Sequence, residues 1–271
     1  MSQSKTYPSE YATQPYMALL LEGRQELHRV LVGVPTLGLV RMEWALARWS
    51  QFVPTNWSSS DCVQFLPQCS PLNYTVADAR NLIVATALQH DFEWVLFNDS
   101  DTILPPHAFV LFNDYMRKAK LPVVAGLYFT KSVPAEPLVY RGRGNSYFAK
   151  WKLGDKVWVD GVPMGCTLIH TSLLRVMADE APEYLAQGRH RIRQVFDTPK
   201  IHWTDPELGA IRSFQGTEDL SWCDRVIRGE FLKKAGWTTV AKKRYPFLID
   251  TNIACLHIRE DGVKFPLKWE W

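Results

Sequence analysis

Two aspartates, Asp99 and Asp101, directly follow a run of large apolar residues in the segment FEWVLFNDSDTILPP at 92–106. The run predicts a buried strand, and carboxylates spaced i and i+2 share one face of a chain that stays extended. Two adjacent carboxylates repel each other, and burial raises that cost. Mg²⁺ or Mn²⁺ would resolve the conflict, because such cations take one or two carboxylates together with substrate phosphates. The pair therefore predicts a site for a metal-bound diphosphate, whereas a polar turn at a strand exit is the plainer interpretation.

Further polar residues are expected near the same edge of the predicted sheet, because ligands of open α/β sheets bind beyond the carboxyl ends of the strands. Pro35 and Thr36 close the first predicted strand. Arg80 and Asn81 lie in the early turns of a predicted helix, where a guanidinium can meet a phosphate or a base. These four residues are candidates for lining a ligand pocket.

Two acidic residues and one histidine complete the candidate site. Glu218 and Asp219 open a predicted helix, where the helix dipole favours carboxylates, so an ordinary acidic first turn is the alternative interpretation. His257 ends the last predicted strand and can offer an imidazole to a metal, although a structural histidine also fits that position.

Strands and helices are predicted to alternate up to about residue 135, which indicates a parallel α/β sheet. In the first half we predict strands at 28–36, 62–66, 93–97 and 121–129, and helices near 42–49, 75–90 and from about 106. Thr75 is expected to cap the second helix, with Asp78 as its capping-box partner. In the second half we predict a hairpin turning at Gly154 and Asp155, a strand and helix at 165–177, a polar segment at 180–216, a helix ending at Gly229 and a short strand at 252–258.

Composition narrows the class of protein. The 271 residues are 46% hydrophobic and 22% charged, as in an ordinary globular domain, and the net charge of +3 is too small to imply nucleic-acid binding. Five cysteines without a CxxC pair argue against a disulfide framework and against a zinc site. We expect a cytoplasmic protein, because the sequence shows neither a signal peptide nor an apolar run long enough to span a membrane.

The motifs VGVPT, ARN, FNDSD, VAGLYFTK, GCTLIHTSLL, TEDLSWCDR and CLHI, in this order from residue 29 to 258, resemble the GT-A fold of nucleotide-sugar glycosyltransferases, particularly the large family-2-like group. The resemblance implies an α/β fold with a Rossmann-like, mostly parallel central sheet flanked by helices and an elaborated C-terminal acceptor half. It implies an N-terminal arm at 1–27 and one catalytic domain at 28–271. Within that domain, 28–135 would bind the nucleotide sugar and 136–271 would carry the acceptor and catalytic half.

The same resemblance implies the activity and the residue roles. A single sugar would move from a nucleoside-diphosphate sugar, UDP-sugar first and GDP-sugar as the alternative, to a hydroxyl acceptor with the help of Mn²⁺ or Mg²⁺. Asp101 and His257 would bind the metal, and Asp99 would contact it through water or hold the donor. The nucleotide pocket would be lined by Pro35, Thr36, Arg80 and Asn81. In an inverting enzyme Asp219 would be the general base, with Glu218 positioning a substrate.

Several alternatives stay open at this point. The sequence lacks the QxxRW motif of processive synthases, which favours single-sugar transfer to a saccharide or small molecule. Segment 180–216 mixes basic and aromatic residues, so a nucleic-acid acceptor is an alternative. Asp99 could instead be the nucleophile of a haloacid-dehalogenase-like phosphatase, although the motif is not in the first strand and no GDxxxD follows. A nucleotide-sugar-binding module without catalysis is the non-enzymatic alternative, and the oligomeric state is not predicted.

Overall fold

The computed structural model describes residues 28–57, 67–142 and 147–268. The predicted arm at 1–27 and the predicted strand at 62–66 lie outside these residues. Over the described part of the chain, no helix has the length and apolar character needed to cross a membrane.

Strands and helices account for most of the described residues. The strands are β1 (Val30–Gly33), β2 (Gln68–Cys69), β3 (Trp94–Asn98), β4 (Thr102–Ile103), β5 (Val123–Leu127), β6 (Lys156–Val159), β7 (Cys166–His170), β8 (Glu183–Ala186), β9 (His190–Arg193), β10 (Lys200–Thr204), β11 (Ile211–Gln215), β12 (Phe247–Ala254), β13 (Leu256–Ile258) and β14 (Lys264–Phe265). The helices are α1 (Met42–Trp49), α2 (Val76–Gln89), α3 (Ala108–Lys118), α4 (Thr171–Glu180), α5 (Glu218–Arg228), α6 (Phe231–Lys234) and α7 (Thr238–Ala241).

A seven-stranded sheet in the order β2-β1-β3-β7-β5-β12-β6 forms the centre of the protein. Five of its strands run in one direction, while β7 and β6 are antiparallel to their neighbours. The predicted α/β fold with a mostly parallel central sheet flanked by helices is confirmed. The carboxyl ends of β1 and β3 therefore meet at one edge, which brings together the residues that follow them.

Both faces of the sheet are buried, which explains why its strands are continuous apolar runs rather than alternating ones. Leu31 and Phe97 point into one cluster with residues of α2, α4 and α5. Val32 and Leu96, one position along each strand, point into a second cluster with residues of α1 and α3. The alternation of side chains along a strand thus divides the core into two layers.

The predicted start of α2 is confirmed, because Thr75 Oγ1 accepts a hydrogen bond from the backbone N–H of Asp78 at 3.2 Å. The return half of the capping box is absent, since the Asp78 carboxylate instead accepts a hydrogen bond from the Tyr184 hydroxyl at 2.6 Å. This bond ties the first turn of α2 to β8, far along the sequence.

The second half departs from the prediction in its strand pairing. The hairpin predicted around Gly154 and Asp155 is wrong, because β6 pairs antiparallel with β12 and not with the residues before the turn. The strand predicted at 252–258 begins earlier, at Phe247, and is divided into β12 and β13. The polar segment 180–216 contains two antiparallel hairpins, β8–β9 and β10–β11. The pairing of β10 with β11 has no signal in the sequence, since every residue of these two strands is exposed and gives no pattern of buried positions.

Gly126 lies where β5 passes closest to β12 and β7. A Cβ atom at this position would lie 2.8 Å from Cys166 Sγ and 2.8 Å from the Ile253 carbonyl oxygen. The register between β5 and β12 shifts at this point. Only a residue without a side chain fits between these strands.

We predict that Gly126→Ala lowers the free energy of unfolding by about 1–3 kcal/mol, because the added methyl group overpacks a site bounded partly by backbone. Urea unfolding followed by circular dichroism would measure the loss. A variant as stable as the wild type would show that β12 moves aside without cost.

Candidate active site

Arg80 lies at the centre of the candidate site and is 2% exposed. Its Nη2 donates to Asp99 Oδ2 at 3.0 Å, and its Nε donates to Glu218 Oε1 at 3.1 Å. The guanidinium carbon lies 5.2 Å from the centre of the Phe97 ring. Burial alone would lower the pKa of Arg80, but the two carboxylates raise it above its ordinary value. The residue thus holds together α2, the end of β3 and the start of α5.

Asp99 forms this ion pair through only one of its two carboxylate oxygens. Its Oδ1 is buried and accepts no hydrogen bond from any described residue. Burial is the main reason why the pKa of Asp99 is raised, and the charge of Asp101 adds to it against the opposing effect of Arg80. The Thr102 N–H donates to the Asp99 carbonyl at 2.9 Å, so the chain turns between the aspartates instead of staying extended.

Asp101 faces two nitrogen groups. Its Oδ2 lies against the Lys131 ammonium and 3.4 Å from His257 Nε2. Burial raises the pKa of Asp101, but hydrogen bonds and charge from His257 and Lys131 outweigh it and lower the pKa to about 2. Asp101 is therefore held as a carboxylate by the two nitrogen groups.

His257 is oriented by the backbone. Its Nδ1 lies 2.7 Å from the Phe129 carbonyl oxygen, which can only accept a hydrogen bond, so Nδ1 carries a proton and Nε2 is the nitrogen that faces Asp101. The Tyr128 ring meets the imidazole edge to face at 5.3 Å. Strand β13 also pairs with β4, which sets His257 opposite Thr102 beside the aspartates. In metal-binding histidines, the ring nitrogen that does not bind the metal usually donates its N–H to a group such as a backbone carbonyl.

Two of these side chains could hold a divalent cation. Asp101 Oδ2 and His257 Nε2 lie 3.4 Å apart, and Asp99, whose Oδ1 has no partner among the described residues, belongs to the same turn as Asp101. Within residues 28–57, 67–142 and 147–268, no group of three or more His, Cys, Asp or Glu side chains is arranged to hold a metal. A cation here would complete its coordination with substrate oxygens and water, as Mg²⁺ and Mn²⁺ do in phosphate-binding sites.

A cavity of about 230 Å³ opens beside these groups. Pro35 and Thr36 line it together with Asp99 and Asp101, so the structure brings these predicted site residues together. Tyr74 also lines the cavity and offers an aromatic ring to a flat ligand. Sequence analysis missed it, because one tyrosine ahead of a helix carries no signal of its own.

Asn81 does not line this cavity. Its side-chain amide donates to the Phe196 carbonyl at 2.9 Å and accepts from the Phe196 N–H at 2.7 Å. It therefore fixes the chain after β9 against α2.

Asp219 lies in the first turn of α5 and accepts a hydrogen bond from the Leu220 N–H at 2.7 Å. Burial, followed by the charge of Glu218, raises its pKa. Burial, followed by the charge of Asp219, raises the pKa of Tyr140 to about 12. Thr217 and Leu220, on either side of the acidic pair, line an open cleft that Tyr140 also lines.

The hairpin β10–β11 borders this cleft through Phe214. Trp203 and Phe214 are 45% and 55% exposed, so the predicted aromatic residues do lie at the surface. The predicted basic residues are partly neutralised, because Arg191 and Arg193 both pair with Glu183.

We predict that Arg80→Met lowers the free energy of unfolding by about 3 kcal/mol, because it leaves Asp99 and Glu218 facing each other without a counter-ion. Arg48→Met is the matched control, since the Arg48 guanidinium lies over the Phe109 ring at 5.2 Å. Its loss leaves no buried pair of carboxylates without a counter-ion. Urea unfolding of both variants tests this. Equal losses would show that Arg80 contributes packing rather than charge.

No family model and no curated protein matches the sequence. Among solved structures, A197 from STIV is similar to this chain with a TM-score of 0.52 and 15% identity, over 87% of this chain and 88% of A197. Residues 1–349 of S. aureus TarS in complex with UDP give a TM-score of 0.36 at 15% identity, over 57% of this chain and 50% of that chain. The TarS complex with UDP-GlcNAc gives 0.37 at 15% identity, over 57% and 48%. The similarity to A197 concerns the fold, which the two proteins share.

Proposed function

We propose that this protein is an inverting, metal-dependent glycosyltransferase of the GT-A type. It would transfer one sugar from a nucleoside-diphosphate sugar to a hydroxyl group of an acceptor. The observation that carries the proposal is the approach of His257 Nε2 to Asp101 Oδ2 at 3.4 Å, beside the cavity that Pro35 and Thr36 line. Asp219 follows Glu218, which binds Arg80, and would be the base for the acceptor.

The donor would bind in the cavity, with UDP-sugar as the expected donor. Pro35, Thr36 and Tyr74 would contact the nucleoside, and the diphosphate would extend toward Asp101. A cation bound by Asp101 and His257 would neutralise the charge that develops on the departing diphosphate. Arg80 would act indirectly, by holding Asp99 and Glu218 in place.

The transfer would be a single displacement. Asp219 accepts the proton of the acceptor hydroxyl while the acceptor oxygen forms a bond to the anomeric carbon of the donor. The bond between that carbon and the diphosphate oxygen breaks, and its electron pair leaves with the nucleoside diphosphate. The raised pKa of Asp219 makes it a stronger base than an exposed aspartate.

The acceptor would occupy the cleft beside α5. The rings of Tyr140 and Phe214 offer apolar faces, and Ser221 and Asp224 offer polar groups next to them. Aromatic faces beside hydroxyl and carboxylate groups suit a saccharide, which has both apolar and hydroxyl-bearing surfaces. The paired arginines of β9 leave less free positive charge for a nucleic-acid acceptor than the sequence indicated.

Asp99 is poorly suited to the alternative role of a phosphatase nucleophile. One of its oxygens is bound to Arg80, and burial raises its pKa. A nucleophile in that reaction has to present an accessible carboxylate to phosphorus.

We predict that UDP raises the melting temperature only when Mn²⁺ is present, and that Asp101→Ala removes this effect. A ligand at 100 times its dissociation constant stabilises by about 2.7 kcal/mol, which a thermal-shift assay resolves. GDP, CDP, ADP and dTDP would be tested beside UDP. Asp261→Ala is the control, because Asp261 forms an exposed ion pair with Arg259 outside the site. A lack of response to all five diphosphates, with and without Mn²⁺, would refute the proposed function.

We predict that Asp219→Asn lowers kcat by about 10²- to 10⁴-fold, the usual contribution of a general base, while Mn²⁺-dependent UDP binding is retained. For the wild type, kcat/KM should fall as the pH drops through the pKa of Asp219, because protonation removes the base. This limb should lie above the ordinary aspartate range, since that pKa is raised, and it should vanish in the variant.

The measurement is UDP release from a panel of UDP-sugars with saccharide acceptors. Asp179→Asn, an exposed aspartate of α4, is the control. An active Asp219→Asn enzyme with an unchanged pH profile would assign the base to another group. Donor binding without any turnover in the wild type would favour the non-catalytic binding module.

A further inference from the structure

The position expected for the metal already holds a positive charge. The Lys131 ammonium contacts Asp101 Oδ2, the same oxygen that lies 3.4 Å from His257 Nε2. Lys131 is 30% exposed and Asp101 is 41% exposed, so solvent reaches the pair. A divalent cation bound by Asp101 and His257 would have to share this oxygen with the ammonium or replace it.

The backbone that carries Lys131 is well fixed. The Thr130 N–H donates to the Glu136 carbonyl at 2.9 Å, and Thr130 Oγ1 accepts from the Glu136 N–H at 2.9 Å. Phe129, two residues before Lys131, provides the carbonyl that orients His257. The lysine backbone and the candidate metal ligand are thus held by one segment, while the four-carbon side chain of Lys131 remains able to turn.

We propose that Lys131 is a built-in counter-ion that exchanges with the divalent cation when the nucleoside diphosphate binds. In the ligand-free protein its ammonium pairs with Asp101. When the cation and the diphosphate arrive together, repulsion drives the ammonium from Asp101, and the diphosphate becomes its new anionic partner. This inference rests on the proposed function, since it concerns the same site.

Two physical consequences follow from such an exchange. The cation alone has to displace the lysine without offering it a new partner, so it binds weakly. The cation with a diphosphate offers that partner, so each ligand strengthens the binding of the other, and this coupling is reciprocal. A lysine that stayed on Asp101 would weaken cation binding too, but it would contribute nothing to diphosphate binding. The diphosphate affinity therefore separates an exchanging lysine from a static one.

The test measures binding rather than activity. Mn²⁺ binding without nucleotide would be followed by the electron paramagnetic resonance signal of free Mn²⁺, and UDP binding at saturating Mn²⁺ by titration calorimetry. For Lys131→Met we expect about tenfold tighter Mn²⁺ binding and about tenfold weaker UDP binding, within the usual range of coupling between two ligands. Lys131→Arg, which keeps the charge, should restore most of the UDP affinity.

Lys234→Met is the matched control, because Lys234 pairs with Glu180 at 2.6 Å on a distant surface and its loss should change neither affinity. Far-ultraviolet circular dichroism would verify that each variant is folded. Unchanged Mn²⁺ affinity in Lys131→Met would overturn the inference, and so would unchanged UDP affinity, because the lysine would then be static. If the wild-type protein binds Mn²⁺ and UDP together, and Lys131→Met binds both with the same affinities as the wild type, only this inference fails. If the wild type binds no diphosphate at all, the proposed function fails and the inference falls with it.

Discussion

The organisation of the site depends on the two ion pairs of Arg80. A buried guanidinium between Asp99 and Glu218 joins a helix of the first half, the end of a central strand and a helix of the second half. Its charge has almost no contact with water, so the carboxylates are needed to keep it buried, and it is needed to keep them close. The cavity lined by Asp99 and the acidic first turn of α5 are held in register by this one side chain.

The mutual repulsion of Asp99 and Asp101 is relieved differently for each carboxylate. Asp99 is neutralised from within the protein by Arg80, while Asp101 is exposed enough to be neutralised by an exchangeable cation. The turn between them makes this division of roles feasible, since it gives each carboxylate its own surroundings. A spacing that indicates a shared metal thus produces one carboxylate paired with a buried arginine and one paired with a partly exposed lysine.

The central sheet and most of the site residues could be predicted from the sequence, because apolar runs and the residues after them are local signals. The partners of those residues could not. Lys131 was present in the motif VAGLYFTK, yet its pairing with Asp101 depends on β5 and β3 sharing one sheet edge. Asn81 was predicted to line a ligand pocket from its position early in a helix. Only the fold shows that its amide binds the backbone of Phe196. Strand pairings between distant segments, such as β6 with β12, carry no local signature.

The strands of the hairpin β10–β11 pair with each other, and every one of their residues is exposed. An isolated two-stranded ribbon of this kind gains little stability from its own packing, so the core gains little from it either. Its sequence can therefore drift, lengthen or be replaced without disturbing the sheet or the Arg80 ion pairs. A protein built in this way can change the surface beside the α5 cleft by exchanging one hairpin, while the residues around Arg80 stay the same.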